Sequence, residues 1–270
     1  MKKITLKAYA KLNMFLDITG RLDNGLHHVL TSMQLIDLAD DVQIKASAGE
    51  GISIVCNHPA VPADSTNTAV KAAELFMQRI GKQVKAEIAI NKKIPLMAGL
   101  GGGSADAAAV LRGLNKIADN RFNLQELLEM GAEIGADVPF CIHGGYAFCS
   151  GTGATIAQAL PDYTCAFVII KPDFSCSTKE AYALYDKNPL IPHEKGDLFL
   201  YNAFEKLYNN PEIEKIKQNL ISAGAMGASL TGSGSAVFGV FENKQQAEKA
   251  FSGLNYPEMY LALPVKRLEN

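Results

Sequence analysis

The sequence predicts an α+β fold in two units, and three observations carry that expectation. Residues 4–18 alternate, with Ile4, Leu6, Ala8, Ala10, Leu12, Met14, Leu16 and Ile18 apolar at every even position. That is the period of a long strand with one face on a core. Gly99–Gly103 holds four glycines directly before Ser104 and an Ala- and Leu-rich run to Leu114, the pattern of a loop opening a helix near Ser104. Past a break at 155–165, Leu230–Phe241, Gln245–Leu254 and Tyr260–Val265 read as a β–turn–β–α–β run. The units are therefore drawn as 1–158 and 159–270.

Composition narrows the function classes. At 48% hydrophobic and 20% charged, the 270 residues are those of an ordinary globular protein. A net charge of −2 gives no electrostatic case for nucleic acid or a membrane surface. The five cysteines include no Cys-x-x-Cys pair, so reduced, mostly buried thiols in a cytoplasmic protein are expected. No long apolar segment follows Met-Lys-Lys-Ile, so neither a signal peptide nor a membrane span is expected.

On the first strand, the odd positions carry Lys7, Tyr9, Lys11, Asn13, Phe15 and Asp17, so Lys11 and Asn13 share a face. By pattern alone Lys11 is equally a solvated strand lysine. Asp23-Asn24-Gly25 signals a turn. Leu26-His27-His28 follows, with further strands at Val42–Lys45 and Ile52–Val55, and the expectation is an antiparallel sheet. Adjacent histidines invite a metal reading, but no other His, Cys or carboxylate stands at ligand spacing. No metal site is assigned, and a polar contact to a ligand or a surface role is expected instead.

Asn67 and Thr68 open a helix that stops at Gly81, and Asn67 suits its N-cap. Val84–Ile90 alternates as a strand. The helix after the glycine loop is expected to reach Ala118, and another to span Leu124–Glu133. In Gly135-Ala-Asp137-Val-Pro139, Asp137 reads as a helix cap, or as a partly buried carboxylate that needs a partner or a task. Gly144-Gly145 and Gly151–Gly153 mark turns. Cys165–Ile170 reads as a buried strand, Lys179–Tyr185 as a helix and Asn188–Gly196 as a polar loop. Helices are expected at Leu198–Tyr208 and Ile213–Ser222. Thr231–Ser235 taken alone is a hairpin turn.

The glycine loop itself has two readings. Backbone N–H groups freed of Cβ interference, at a helix N-terminus with its positive dipole end, make an anion cradle suited to phosphate. A plain loop leading into a core helix is the other. A Walker P-loop fails because no Gly-Lys-Ser/Thr follows. A dinucleotide fingerprint is weak because the run ends in Ser104 and Pro95 separates it from the preceding strand.

Three segments stand in a definite order: Ala10-Lys11-Leu12-Asn13, Pro95-Leu-Met97-Ala98-Gly99-Leu100-Gly101-Gly102-Gly103-Ser104-Ala, and Leu230-Thr231-Gly232-Ser-Gly234-Ser-Ala. With Gly25-Leu26-His27 and Gly135-Ala-Asp137-Val-Pro-Phe, they resemble the small-molecule kinase superfamily of galactokinase, homoserine kinase, mevalonate kinase and phosphomevalonate kinase. The likeness is strongest to the members that phosphorylate a cytidine-diphosphate-linked methylerythritol, and it spans nearly the whole chain.

That resemblance implies a two-domain fold, with a mixed sheet and helices followed by a ferredoxin-like α/β sandwich. The first unit would bind ATP and the second would close the cleft. It implies transfer of the ATP γ-phosphoryl group to an alcohol in non-mevalonate isoprenoid biosynthesis. Mg2+ would be held mainly by the nucleotide phosphates, and the protein would be a monomer or weak homodimer. A sibling kinase acting on homoserine or mevalonate, and a silent nucleotide-binding relative, are the alternatives. Carried over by residue, Asp137 resembles the catalytic carboxylate and Lys11 its partner; the residues alone do not bring the two together. Pro95, Met97, Ala98 and Gly99–Ser104 would hold the nucleotide, with Asn67 near its cleft. His27 would hydrogen-bond the base beside Leu26, and Asn13 would lie near the erythritol end. Thr178 and Tyr182 would touch the acceptor, Tyr182 as a stacking face. Thr231, Gly232 and Gly234 would close on its phosphate end. Two positions depart from the family pattern: Tyr9 stands where a Pro is common, and Leu26 where an aromatic residue is.

Overall fold

The computed structural model describes residues 1–82, 84–162, 164–193 and 199–269. Two long strands, β1 (Lys2–Arg21) and β2 (His27–Ala48), form a hairpin over the expected turn at Gly25. They are the spine of a seven-stranded sheet. Beyond them lie β3 (Ile52–Cys56), β4 (Val84–Asn91), β5 (Tyr146–Ser150), β6 (Thr155–Leu160) and the two-residue β8 (Tyr201–Asn202). The sheet is mixed rather than antiparallel throughout: β3 runs parallel to β4, and β8 parallel to β1. The helix α1 (Thr68–Ile80) supplies the crossover that the parallel β3–β4 pair requires.

The alternation in β1 gives the strand, but its reading as one solvated face needs correction. Register shifts at Tyr9/Lys11, Asn13/Phe15 and Ile18/Gly20 break the strand's regularity. From Ala10 to Asp17 both faces are buried, with Lys11, Asn13, Phe15 and Asp17 at 3% exposure or less. The second unit covers the outer face there.

On the inner face lie α1, α2 (Gly102–Ile117), α3 (Leu124–Ile134) and α4 (Val138–His143). Helix α2 is almost wholly buried, and its small residues let it lie close to the spine: a Cβ on Gly113 would meet Ile44 Cδ1 at 2.4 Å. Asn67 caps α1, and Asn123 with Glu126 forms a capping box on α3.

The second unit is a four-stranded antiparallel sheet in the order β11 (Met259–Ala262), β7 (Ala166–Ile170), β10 (Val237–Phe241), β9 (Gly227–Leu230). That order, with α7 (Pro211–Ser222) and α8 (Lys244–Gly253) against the sheet, is ferredoxin-like. Strand β7 is buried at every residue because both its faces are covered. Phe167 and Ile169 join the core of the first sheet, while Ala166, Val168 and Ile170 pack in a separate cluster that includes Ile216 and Leu220 of α7.

Helix α5 (Thr178–Lys187) forms as the sequence suggests. The helix expected at Leu198–Tyr208 is shorter: α6 covers Ala203–Tyr208, because Tyr201–Asn202 pair with Phe15–Leu16 and Asn202 caps the helix. Leu198 and residues 194–196 of the expected loop lie outside the described residues. Among those residues all five cysteines are free, two of them buried and three half-buried, and no helix is long and apolar enough to cross a membrane.

Candidate active site

A cavity of about 450 Å³ opens where the two sheets meet. Pro95 and every residue from Met97 to Ser104 line one wall. This loop ends in the first turn of α2, whose cap position is Gly101 at φ +70, with no side chain to absorb the first-turn N–H groups. Three ties hold its shape. Lys11 N–H donates to the Leu100 carbonyl (3.0 Å), Ala236 N–H to that of Ala98 (3.1 Å), and Thr68 Oγ1 to that of Gly103 (2.8 Å).

Lys11 comes from β1 and passes between glycines of two loops. A Cβ on Gly101 would stand 3.0 Å from its Cγ, and one on Gly232 would stand 3.2 Å from its Nζ. The side chain is 4% exposed, and its ammonium donates to Asn13 Oδ1 at 2.5 Å and lies 3.4 Å from Asp137 Oδ2. Asn13 is held in turn: Nδ2 donates to Thr31 Oγ1 (2.9 Å) and its N–H to Thr231 Oγ1 (3.1 Å). Asp137 occupies the N-cap position of α4, but its side chain caps nothing. Of the two readings of Asp137, the partly buried carboxylate with a partner is the observed one. At one-third exposure it faces the cavity, with the Lys11 ammonium beside it.

The opposite wall comes from the second unit. Thr178 Oγ1 shares a hydrogen bond with Ser233 Oγ (2.9 Å), and both line the cavity with Gly232 and Gly234. Thr231 does not line it. It is fully buried behind the wall, bonded to Asn13 and donating to the Gly99 carbonyl (3.3 Å). The segment Thr231–Ala236 is thus the β9–β10 hairpin connection and a wall of the cleft at once.

Tyr182 joins this cavity to a second one of about 580 Å³ that contains Leu26, His27 and Asp186. His27 Nε2 is 2.7 Å from Asp186 Oδ1, and its ring stacks on Tyr182 with centroids 4.5 Å apart. Burial, with the Asp137 charge adding, pushes the Tyr182 phenol up to about 12. Leu26 is half exposed at the rim. Asn67 stands one residue from the cavity-lining Thr68, with its own carboxamide spent on Ala69 N–H and the Pro62 carbonyl.

Sequence reasoning missed Thr68 and Thr152 as cavity residues, and the ion cluster of Lys92 with Asp40 and Asp106 behind the loop. Asp106 carried a signal: a lone carboxylate inside an alanine run of a core helix needs a cation.

Profiles of the GHMP kinases N terminal domain and GHMP kinases C terminal match residues 67–145 and 199–257. A 4-diphosphocytidyl-2-C-methyl-D-erythritol kinase from Clostridium tetani (strain Massachusetts / E88) is 40% identical over 276 residues, covering 95% of this chain and 98% of that one. One of the same name from Carboxydothermus hydrogenoformans is 42% identical over 268 residues, covering 93% and 92%. A crystal structure of 4-(cytidine 5'-diphospho)-2C-methyl-D-erythritol kinase superposes with a TM-score of 0.80 at 25% identity, covering 96% of this chain and 98% of that one. Homoserine kinase from Cytophaga hutchinsonii shares the fold, with a TM-score of 0.77 at 20% identity. With two domain profiles in the expected order and full-length relatives near 40% identity, the chain belongs to the 4-diphosphocytidyl-2-C-methyl-D-erythritol kinase family of the GHMP kinases.

Proposed function

We propose that this kinase transfers the γ-phosphoryl group of ATP to a hydroxyl of 4-diphosphocytidyl-2-C-methyl-D-erythritol, giving the 2-phosphate and ADP. The observation that carries the reading is the Lys11–Asp137 pair, set between the glycine loop and the His27–Tyr182 chamber. The first-turn N–H groups of α2 and the loop backbone receive the polyphosphate, with Pro95, Met97 and Ala98 alongside it. Asp137 accepts the proton of the acceptor hydroxyl as its oxygen bonds to phosphorus, and the electrons of the breaking P–O bond leave with ADP. The Lys11 ammonium, 3.4 Å from the Asp137 carboxylate, offsets charge on the transferring group. Asn13 fixes that ammonium, and Thr178, Gly232 and Gly234 close on the acceptor.

Mg2+, held by the nucleotide phosphates, would neutralise phosphate charge. Asp40 and Asp106, the carboxylates behind the loop, are engaged by Lys92, which supports a metal held by phosphates rather than by side chains. The base is assigned to the chamber of Leu26, His27 and Tyr182. The unit 1–158 binds ATP and 159–270 closes the cleft. The placement extends to the non-mevalonate isoprenoid route, in the cytoplasm, as a monomer or weak homodimer; the free cysteines support a reducing compartment.

Incubation with ATP, Mg2+ and the cytidine-linked acceptor is the test. ADP and a singly phosphorylated acceptor are expected. Turnover of homoserine or mevalonate without turnover of that acceptor would overturn the reading.

A further inference from the structure

A second charged cluster lies behind the glycine loop and takes no part in the steps above. Lys92 Nζ is 2.5 Å from Asp40 Oδ2 and 2.8 Å from Asp106 Oδ2, and none of the three side chains is more than 5% exposed. Asp40 is well supplied with donors, since its Oδ1 also accepts the N–H groups of Lys93 (2.5 Å) and Ile94 (2.8 Å). Asp106 is not: its Oδ1 is buried without a hydrogen-bond partner among the described residues.

Fully ionised, two carboxylates and one ammonium leave an unbalanced negative charge in the interior. Such a charge is costly unless a proton removes it. Its position makes it costlier for an anionic ligand. A Cβ on Gly102 would stand 3.1 Å from Lys92 Nζ, so the cluster lies directly behind the backbone of the cradle. With one proton the cluster is neutral. Asp106, with fewer donors than Asp40, is the group to hold it.

We propose that Asp106 is a positioning residue for the nucleotide, held as the neutral acid behind the glycine loop, and that nucleotide binding is linked to this proton. The polyphosphate binds the protonated cluster more tightly than the ionised one, so binding draws a proton onto Asp106 when the solution is alkaline. The groups facing Asp106 are Lys92 after β4, Asp40 on β2 and Cys141 on α4, whose thiol burial keeps neutral. Burial opposes ionisation of Asp106 and the Asp40 charge adds to it, so that despite Lys92 the carboxyl is pushed up to about 7. The inference rests on the assignment of ATP phosphates to this loop.

Asp106→Asn keeps the shape and fixes the neutral charge. Calorimetric titration of wild type and variant with MgATP at about pH 8, in two buffers of different ionisation enthalpy, reads the proton. Wild type is expected to take up part of a proton per nucleotide bound, and its affinity to fall several-fold from about pH 6 to about pH 8.5. The variant is expected to show neither effect. Equal proton uptake and equal pH slopes in the two proteins would overturn the proposal, even if the variant bound more weakly throughout. A second measurement needs no variant. The Asp106 carboxyl carbon, followed by NMR in aspartate-labelled wild type, should titrate near neutrality without nucleotide and at higher pH with it. A carboxyl ionised throughout the neutral range would overturn the proposal. Wild type that binds no MgATP while Asp106 titrates as described would instead sink the ATP assignment.

Discussion

A Cβ on Gly99 would stand 2.0 Å from the carbonyl oxygen of Thr231. The glycine loop of the first sheet and the hairpin loop of the second are therefore pressed backbone to backbone. Gly99 also has φ +76, a conformation that side chains disfavour. Gly99→Ala must push the loops apart and strain the backbone, at a cost of about 1–3 kcal/mol or more. The variant should melt lower than wild type and lose the upward shift that ATP gives. Gly20→Ala, where nothing lies within 4 Å, is the control and should behave as wild type. Thermal unfolding with and without nucleotide reads both.

Asp186 anchors His27, the residue proposed to hold the base of the acceptor. Its carboxylate takes the His27 Nε2 contact at 2.7 Å, while Tyr182 stacks on the ring. Asp186→Ala removes that anchor and lets the imidazole turn. The KM for the cytidine-linked acceptor should rise several-fold, with kcat within about twofold and the KM for ATP unchanged. A loss confined to kcat would place the chamber outside acceptor binding.

The raised Asp106 carboxyl also shapes stability. It sits at about 7 in the folded chain, against an ordinary value of about 3.9 in an unfolded one. Between those values the folded chain holds a proton that the unfolded chain has lost. Stability from this group is therefore greatest at acid pH and declines as pH rises from about 4 to about 7. Asp106→Asn removes that slope. Urea midpoints at about pH 5 and about pH 8 should show the variant gaining on wild type as pH rises, by up to a few kcal/mol. Parallel midpoints would contradict the burial of an unbalanced charge.

Much of the fold was legible because its signals are local. The period of β1, the caps at Asn67 and Gly81, and the ferredoxin-like run at the end all depend on near neighbours in sequence. What was not legible depends on distant parts of the chain. Alternation placed Lys11 on a polar face, but that face is covered by the hairpin loop at Thr231 and by Tyr201, roughly two hundred residues on. The same pairing pulls Tyr201 and Asn202 out of the helix that their sequence suggests. Asp137 reads as a cap from sequence because its position is a cap position; only the packing of α4 against β1 brings it to Lys11. The glycine loop was readable as the opening of a helix, but the charge behind it was not. Lys92 sits beside Lys93 in sequence, yet it is buried while its neighbour is solvated.

The most direct measurement compares Asp137→Asn with wild type, in ADP release with the cytidine-linked acceptor and in MgATP binding by calorimetry. The Lys11–Asp137 account predicts a loss of about 10²–10⁴ in turnover with nucleotide affinity little changed, because Asp137 takes the hydroxyl proton and does not hold ATP. Turnover within a few-fold of wild type would contradict it.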